Sequence, residues 1–233
     1  MLVAAAVCPC PPLLVPEVAE GAAPELDAVR DACADVLGVL AAARPDRLVV
    51  VGPAARDESY PEGARGSFRG FGVDLDVRLG DGDGTAAPLP ASLAVAAWLL
   101  DRTRWADAPM EGLGVAEPIT VERCVRVGRD IAGSAERVAL LVMGDASACR
   151  TLKAPGYLDD RAAGFDAQVA RALAAADAEA LKALDAGLAR EVQASGRAPW
   201  QILAGAAEDA GLFGTLLYDD APYGVGYLVA AWS

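Results

Sequence analysis

Three short, nearly unbroken apolar runs constrain this chain more than any other feature: Leu2 to Val7, Arg47 to Gly52 (RLVVVG) and Arg137 to Met143 (RVALLVM). Each has the length of a strand, and none alternates as a strand with one wet face would. Runs of this kind are buried on both sides, as in a parallel sheet. Between the first two lies Pro24 to Ala43, where Leu26, Val29, Cys33, Val36, Leu37 and Leu40 recur at spacings of mostly three and four, the pattern of an amphipathic helix. Strand, helix, strand makes a βαβ unit, parallel and right-handed in nearly all known cases. The expected fold is α/β: one single domain over 1–233, with a mostly parallel central sheet flanked by helices on both faces.

The alternation continues along the chain. Ser67 to Leu79 places Phe71, Val73, Leu75, Val77 and Leu79 on one face and predicts an added strand or hairpin, closed by the turn-forming Gly80 to Gly84. Pro90 to Thr103 reads as helix. So does Leu158 to Ala176, where Leu158, Phe165, Val169 and Leu173 keep helical spacing. Ala-rich helices are expected through Ala210 with breaks at Gly187, Gly196 and Pro199, and Leu212 to Tyr218 and Val225 to Trp232 read as closing strands. No linker and no internal repeat divides the chain.

Composition excludes several classes of partner. A formal charge of −13 with scattered cations disfavours nucleic acid and anionic membrane, whose binding needs clustered Lys and Arg. No segment reaches the ~18–20 apolar residues that span a bilayer, and no basic region precedes Leu2 to Val7, so the expected compartment is the cytoplasm. The five cysteines, Cys8, Cys10, Cys33, Cys124 and Cys149, are odd in number and irregularly spaced, and are expected to be free thiols.

Ligands of open α/β sheets gather at the carboxyl ends of strands. Four junctions qualify: Cys8-Pro-Cys10-Pro-Pro, Gly52-Pro-Ala-Ala55, Gly144-Asp-Ala-Ser-Ala148, and Asp219-Asp220 through Tyr227. The cleft-lining candidates are Cys8, Cys10, Ala54, Asp145, Ser147, Ala148, Asp219, Asp220 and Tyr223. Bland roles are expected for several of them. Cys10 fits a small buried apolar position, Asp145 and Ser147 fit caps for the segment after their strand, and Asp219 with Asp220 fits a solvated pair. Gly224-x-Gly226 is too short for a dinucleotide fingerprint and reads as close backbone packing. A Ser or Cys nucleophile would have only Lys153, Lys182 or a carboxylate as its base.

Two patterns go further. Gly144-Asp145-Ala146-Ser147, followed by Tyr157-Leu158-Asp159 and Phe165-Asp166, and the tail Ala221-Pro222-Tyr223-Gly224-Val225-Gly226-Tyr227, resemble the LigB-type chain of class III extradiol ring-cleavage dioxygenases and its Memo-like relatives, over nearly the whole sequence. The resemblance implies a LigB-like extradiol dioxygenase sheet. It also implies positions: the first metal histidine falls on Cys10, the second on Ala54, the acid–base histidine on Ala148, and the carboxylate ligand on Asp220. The chain contains no histidine, so the two-His-one-carboxylate triad that holds non-haem Fe(II) cannot be assembled from it.

The expectation is therefore a homologue without catalytic residues, metal or cofactor, serving as a binding or scaffold protein for a small molecule or a protein, with a homo-oligomer open. The alternative is a metal-dependent oxidoreductase or hydrolase whose altered centre uses Cys10 and Asp220 around Fe(II) or Zn, with Cys8, Cys149, Asp57, Glu58 or Asp145 as recruits. A third reading, a small second chain completing the site, asks that chain to supply ligands the large chain normally provides.

Overall fold

The computed structural model describes residues 1–84 and 87–233. Along the chain the elements are β1 (Leu2–Cys8), α1 (Pro16–Ala19), α2 (Asp27–Ala42), β2 (Arg47–Pro53), β3 (Glu58–Tyr60), β4 (Arg65–Ser67), β5 (Asp76–Arg78), α3 (Ala91–Arg102), β6 (Met110–Val115), α4 (Val121–Ala132), β7 (Val138–Met143), α5 (Ala162–Ala174), α6 (Ala178–Lys182), α7 (Ala186–Glu191), α8 (Arg197–Ala206), β8 (Gly214–Asp220) and β9 (Tyr227–Trp232). One seven-stranded sheet has the order β3-β6-β2-β7-β1-β9-β8, and β4-β5 form a separate hairpin. The inner strands β6, β2, β7 and β1 pair in parallel, whereas β3 and β9 run against their neighbours. Because β8 is antiparallel to β9, it points the same way as β1, and the carboxyl ends of β1, β2, β6, β7 and β8 share one edge. The chain is a single mixed α/β domain.

The three sequence runs become β1, β2 and β7, and alternate residues feed two cores. Ala4, Leu48, Leu141 and Val229 pack under α2 and α3, while Val7, Val49, Leu140 and Leu228 pack under α5 and α8. Such double burial is why the runs show no polar alternation. The helix expected from Pro24 starts at Asp27, because Pro24 sits in a 3-10 segment, Glu20–Leu26, that leads into it.

Other expectations need correction. The hairpin expected at Ser67 to Leu79 is present, with Asp76–Arg78 paired to Arg65–Ser67, but the residues between the two strands do not extend it. Arg69–Phe71 forms a 3-10 turn ending on the left-handed Gly72, and Phe71 is exposed rather than aligned with Leu79. Gly187 and Pro199 break nothing. Both lie in the first turn of a helix, α7 and α8 respectively, where a proline forfeits only an N–H that has no helical partner.

Besides the short α1 and β3, the sequence did not mark β6 or α4. In β6 (MEGLGV) Gly112 and Gly114 interrupt the apolar run, because Leu93, Tyr60 and Ala54 crowd the space a side chain would need. In α4 the charges mask Cys124, Val125, Gly128 and Ile131, which are buried at helical spacing behind the Thr120 cap. A Cβ on Gly128 would meet the Ile202 carbonyl at 2.1 Å, and one on Gly205 the Val125 carbonyl at 2.3 Å, so α4 and α8 touch backbone to backbone. Among the described residues no helix is long and apolar enough to cross a membrane.

Candidate functional site

Proline cannot continue a ladder, so β1 ends at Cys8 before Pro9, Pro11 and Pro12. The Gly144 N–H donates to the Cys8 carbonyl at 3.0 Å and carries the pairing one step beyond β7. Here the chain brings Asp145 under the first loop. Its Oδ1 accepts from the Cys10 N–H at 2.8 Å, its own N–H donates to Ser195 Oγ at 3.0 Å, and its carbonyl accepts from the Gly196 N–H at 2.9 Å. Burial pushes the Asp145 carboxyl up to about 6, against the pull of the Cys10 N–H. Burial, and then the charge of Asp145, also push the Cys10 thiol well up. Cys8 is fully buried beside Cys33, whose thiol contact and burial raise it too.

Ser147 is fully buried and faces Asp166, itself 2% exposed. The Ser147 N–H donates to Asp166 Oδ1 at 2.8 Å, its hydroxyl donates to Oδ2 at 2.8 Å, and Arg150 Nη1 reaches Oδ2 at 2.9 Å. Burial raises the Asp166 carboxyl, and these donors pull it back. The expected capping roles are thus corrected: Asp145 and Ser147 tie neighbouring loops to one another and cap no helix.

The turn into β9 is sewn to the same loop. The Gly226 N–H donates to the Ser147 carbonyl and the Ala146 N–H to the Gly226 carbonyl, both at 2.8 Å, and the Arg150 N–H donates to the Gly224 carbonyl at 3.0 Å. A Cβ on Gly226 would meet Asp166 Oδ2 at 2.6 Å, and Gly224 has a φ of +76°, which is the close packing read from Gly-x-Gly.

The remaining candidates spread around this knot. Ala54 is half-buried over Gly114, its N–H donating to the Val115 carbonyl at 2.8 Å. The half-buried Ala148 donates its N–H to the Val192 carbonyl at 2.9 Å. Asp219 and Asp220 are exposed at the end of β8, and Asp220 Oδ1 accepts from the next N–H, that of Ala221, at 2.7 Å. Tyr223 donates to Glu25 Oε2 at 3.0 Å. The sequence did not single out Asp166, Ser195 or Arg150 for any role. Tyr227 entered only as the last residue of the tail motif; it is buried, and raised first by that burial and then by Asp145, Tyr223 and Cys10 around it. Asp166 was visible beforehand only through its spacing from Ser147 within a motif.

These residues do not fit a non-haem iron. The positions that the resemblance assigns hold two alanines without donor atoms, one thiol and a carboxylate turned onto its own turn. Among the described residues no three His, Cys, Asp or Glu side chains come together as a metal would require.

No protein-family model matches the chain, and no curated protein matches its sequence. Its fold is similar to that of a solved structure from Escherichia coli K12, the uncharacterized protein JW3007. The match has 15% sequence identity and a TM-score of 0.59, covering 99% of this chain and 100% of that one. At that identity the likeness concerns the fold alone.

Proposed function

We propose that this chain is a retired relative of the LigB-type class III extradiol dioxygenases, a non-catalytic binding or scaffold protein that keeps the sheet and its carboxyl-end loops without the iron chemistry. The observation that carries this reading is the complete lack of histidine in a chain whose sequence has Cys10, Ala54, Ala148 and Asp220 at the positions for which the resemblance calls for ligands and an acid–base group. The hydrogen-bonded lacing of Cys10 to Asp145, and of Ser147 to Asp166 and Gly226, supports it. Backbone groups that would have to move to recruit new ligands are already engaged, and leaving them unpaired costs about 1–3 kcal/mol each.

The test is elemental analysis by plasma mass spectrometry on untagged protein purified without oxygen, followed by a catechol-cleavage assay with added Fe(II). The expected result is substoichiometric metal and no ring cleavage. Stoichiometric iron or zinc that disappears in Cys10→Ala or Asp220→Ala, together with turnover, would replace this reading with an altered metal centre.

A further inference from the structure

The seven-stranded sheet ends on one side at β3 and on the other at β8, and a strand in such a place leaves a row of N–H and C=O groups open to another chain. The two edges are built differently. β3 is three residues long and its Glu58 is paired with Arg56 at 2.8 Å, so it offers a short ladder and a charge. β8 is seven residues long, and from Ala210 to Tyr218 the chain carries neither charge nor proline, the residues that usually blunt an edge. Only its far end is blunted, by the bulge between Leu216 and Tyr218 and by Asp219 and Asp220.

The start of β8 is held firmly. Phe213 and Ser233 exchange both backbone hydrogen bonds, at 3.0 and 3.1 Å, and a Cβ on Gly214 would run into the Leu173 carbonyl, so α5 backs the strand on one face. With the Phe213 backbone groups turned inward to Ser233, alternation turns those of Thr215 inward to β9 as well and leaves those of Gly214 and Leu216 facing out. Among the described residues no strand lies beyond them. On this fixed backbone Phe213 is 82% exposed and Leu217 37%, with the exposed Thr215 midway between them.

That spacing decides which chain fits. Turned about a two-fold axis through Thr215, a second β8 runs antiparallel to the first. Gly214 of each copy then exchanges backbone hydrogen bonds with Leu216 of the other, and Phe213 of each comes level with Leu217 of the other. The exposed apolar residues answer one another twice, as an isologous contact requires, and cross-strand pairs of this kind stabilise a sheet. The acids fit the same arrangement. Asp219 of one copy stands roughly 27 Å from Asp219 of the other at ~3.4 Å per residue, whereas a parallel copy in register would set four carboxylates side by side. We propose that β8 is a self-association edge, joining two copies of this chain antiparallel about Thr215 and their two sheets into one.

The test is sedimentation velocity on the whole untagged chain over a concentration series. The expected result is a monomer–dimer equilibrium with Kd on the order of 10–100 µM, as suits an interface below the ~1,200 Å² of stable complexes. Added salt should tighten it, because each copy carries a formal charge of −13 and salt screens that repulsion. Thr215→Lys sets two ammoniums against each other on the axis and Phe213→Asp removes the apolar pair, and each should weaken association about tenfold. Both residues are exposed, and circular dichroism checks that each variant folds. The register has its own readout. Directly opposed residues in an antiparallel pair have Cβ atoms ~4.5–5.5 Å apart, so Thr215→Cys should form an intermolecular disulfide under oxygen with copper phenanthroline, and Asp219→Cys should not; the native cysteines are all buried. A chain that stays monomeric up to ~1 mM, association that salt loosens or that either variant leaves unchanged, or cross-linking no better through residue 215 than through 219 would overturn the proposal. Metal content and ring cleavage read other residues, so this proposal and the previous one fail separately.

Discussion

The segment after β7 and the β4–β5 hairpin are both irregular, yet they hold their shape by opposite means. The first is organised around two carboxylates, the buried Asp166 and the half-buried Asp145, whose oxygens accept from backbone N–H groups, a hydroxyl and one guanidinium. The second relies on exposed ion pairs, Arg69 with Asp74 and Asp76, and Arg78 with Asp81. In water such pairs contribute little, whereas a buried acceptor taken from its donors strands them without solvent. The two regions teach that a dense network of contacts near a surface can be decorative, while a sparse one in the interior is structural.

The sharpest test of that contrast is Asp166→Ala. It leaves the Ser147 N–H and hydroxyl and the Arg150 guanidinium without their acceptor, and should lower unfolding free energy by about 3 kcal/mol in urea titration. A change too small to resolve would break the comparison. Gly226→Ala comes next, with an expected loss of about 2 kcal/mol by the same measurement, because its Cβ would be driven into Asp166 Oδ2 and the Ala146 Cβ, which lie within 2.6 and 2.9 Å.

Asp145 adds a pH signature. Its carboxyl titrates near 6 in the fold against an ordinary 3.8, so the unfolded chain gives up this proton first. Its contribution therefore falls as pH rises from about 4 to 6 and is flat above that. Asp145→Asn can still accept from the Cys10 N–H but cannot ionise. Its stability relative to the parent should rise by roughly 1 kcal/mol between pH 4 and pH 7, discounted from the ~1.4 kcal/mol per pH unit of a full shift for partial exposure. A difference that stays constant across that range would show that the carboxyl does not sense its burial. The smallest effect belongs to the hairpin: Arg69→Ala should leave the unfolding midpoint unchanged within error, and a clear fall would erase the distinction between the two regions.

The interior was readable in advance where burial is two-sided, because Leu2 to Val7 and Arg137 to Met143 have no solvent face to confuse the pattern. It was unreadable where packing demands the absence of a side chain, as at Gly112 and Gly114, or where charge surrounds a narrow apolar stripe, as in α4. At the candidate edge, sequence placed Cys10, Asp145 and Ser147 in strand-end loops. It could not say that a strand-end aspartate would bond a loop 135 residues away, nor that Ser147 would turn to a helix instead of capping one. Long-range acceptors leave no local periodicity, so Asp166 and Ser195 emerged only in three dimensions.

Asp166 also has a consequence for how the edge moves. A single carboxylate on α5 gathers the loop after β7, and through Ser147 that loop is joined to the turn entering β9, so three stretches distant along the chain share one fastening. The expected result is concerted opening of the three stretches, read as matched hydrogen-exchange protection at the Ser147, Ala146 and Gly226 amides, with exchange slower than in the solvent-borne hairpin.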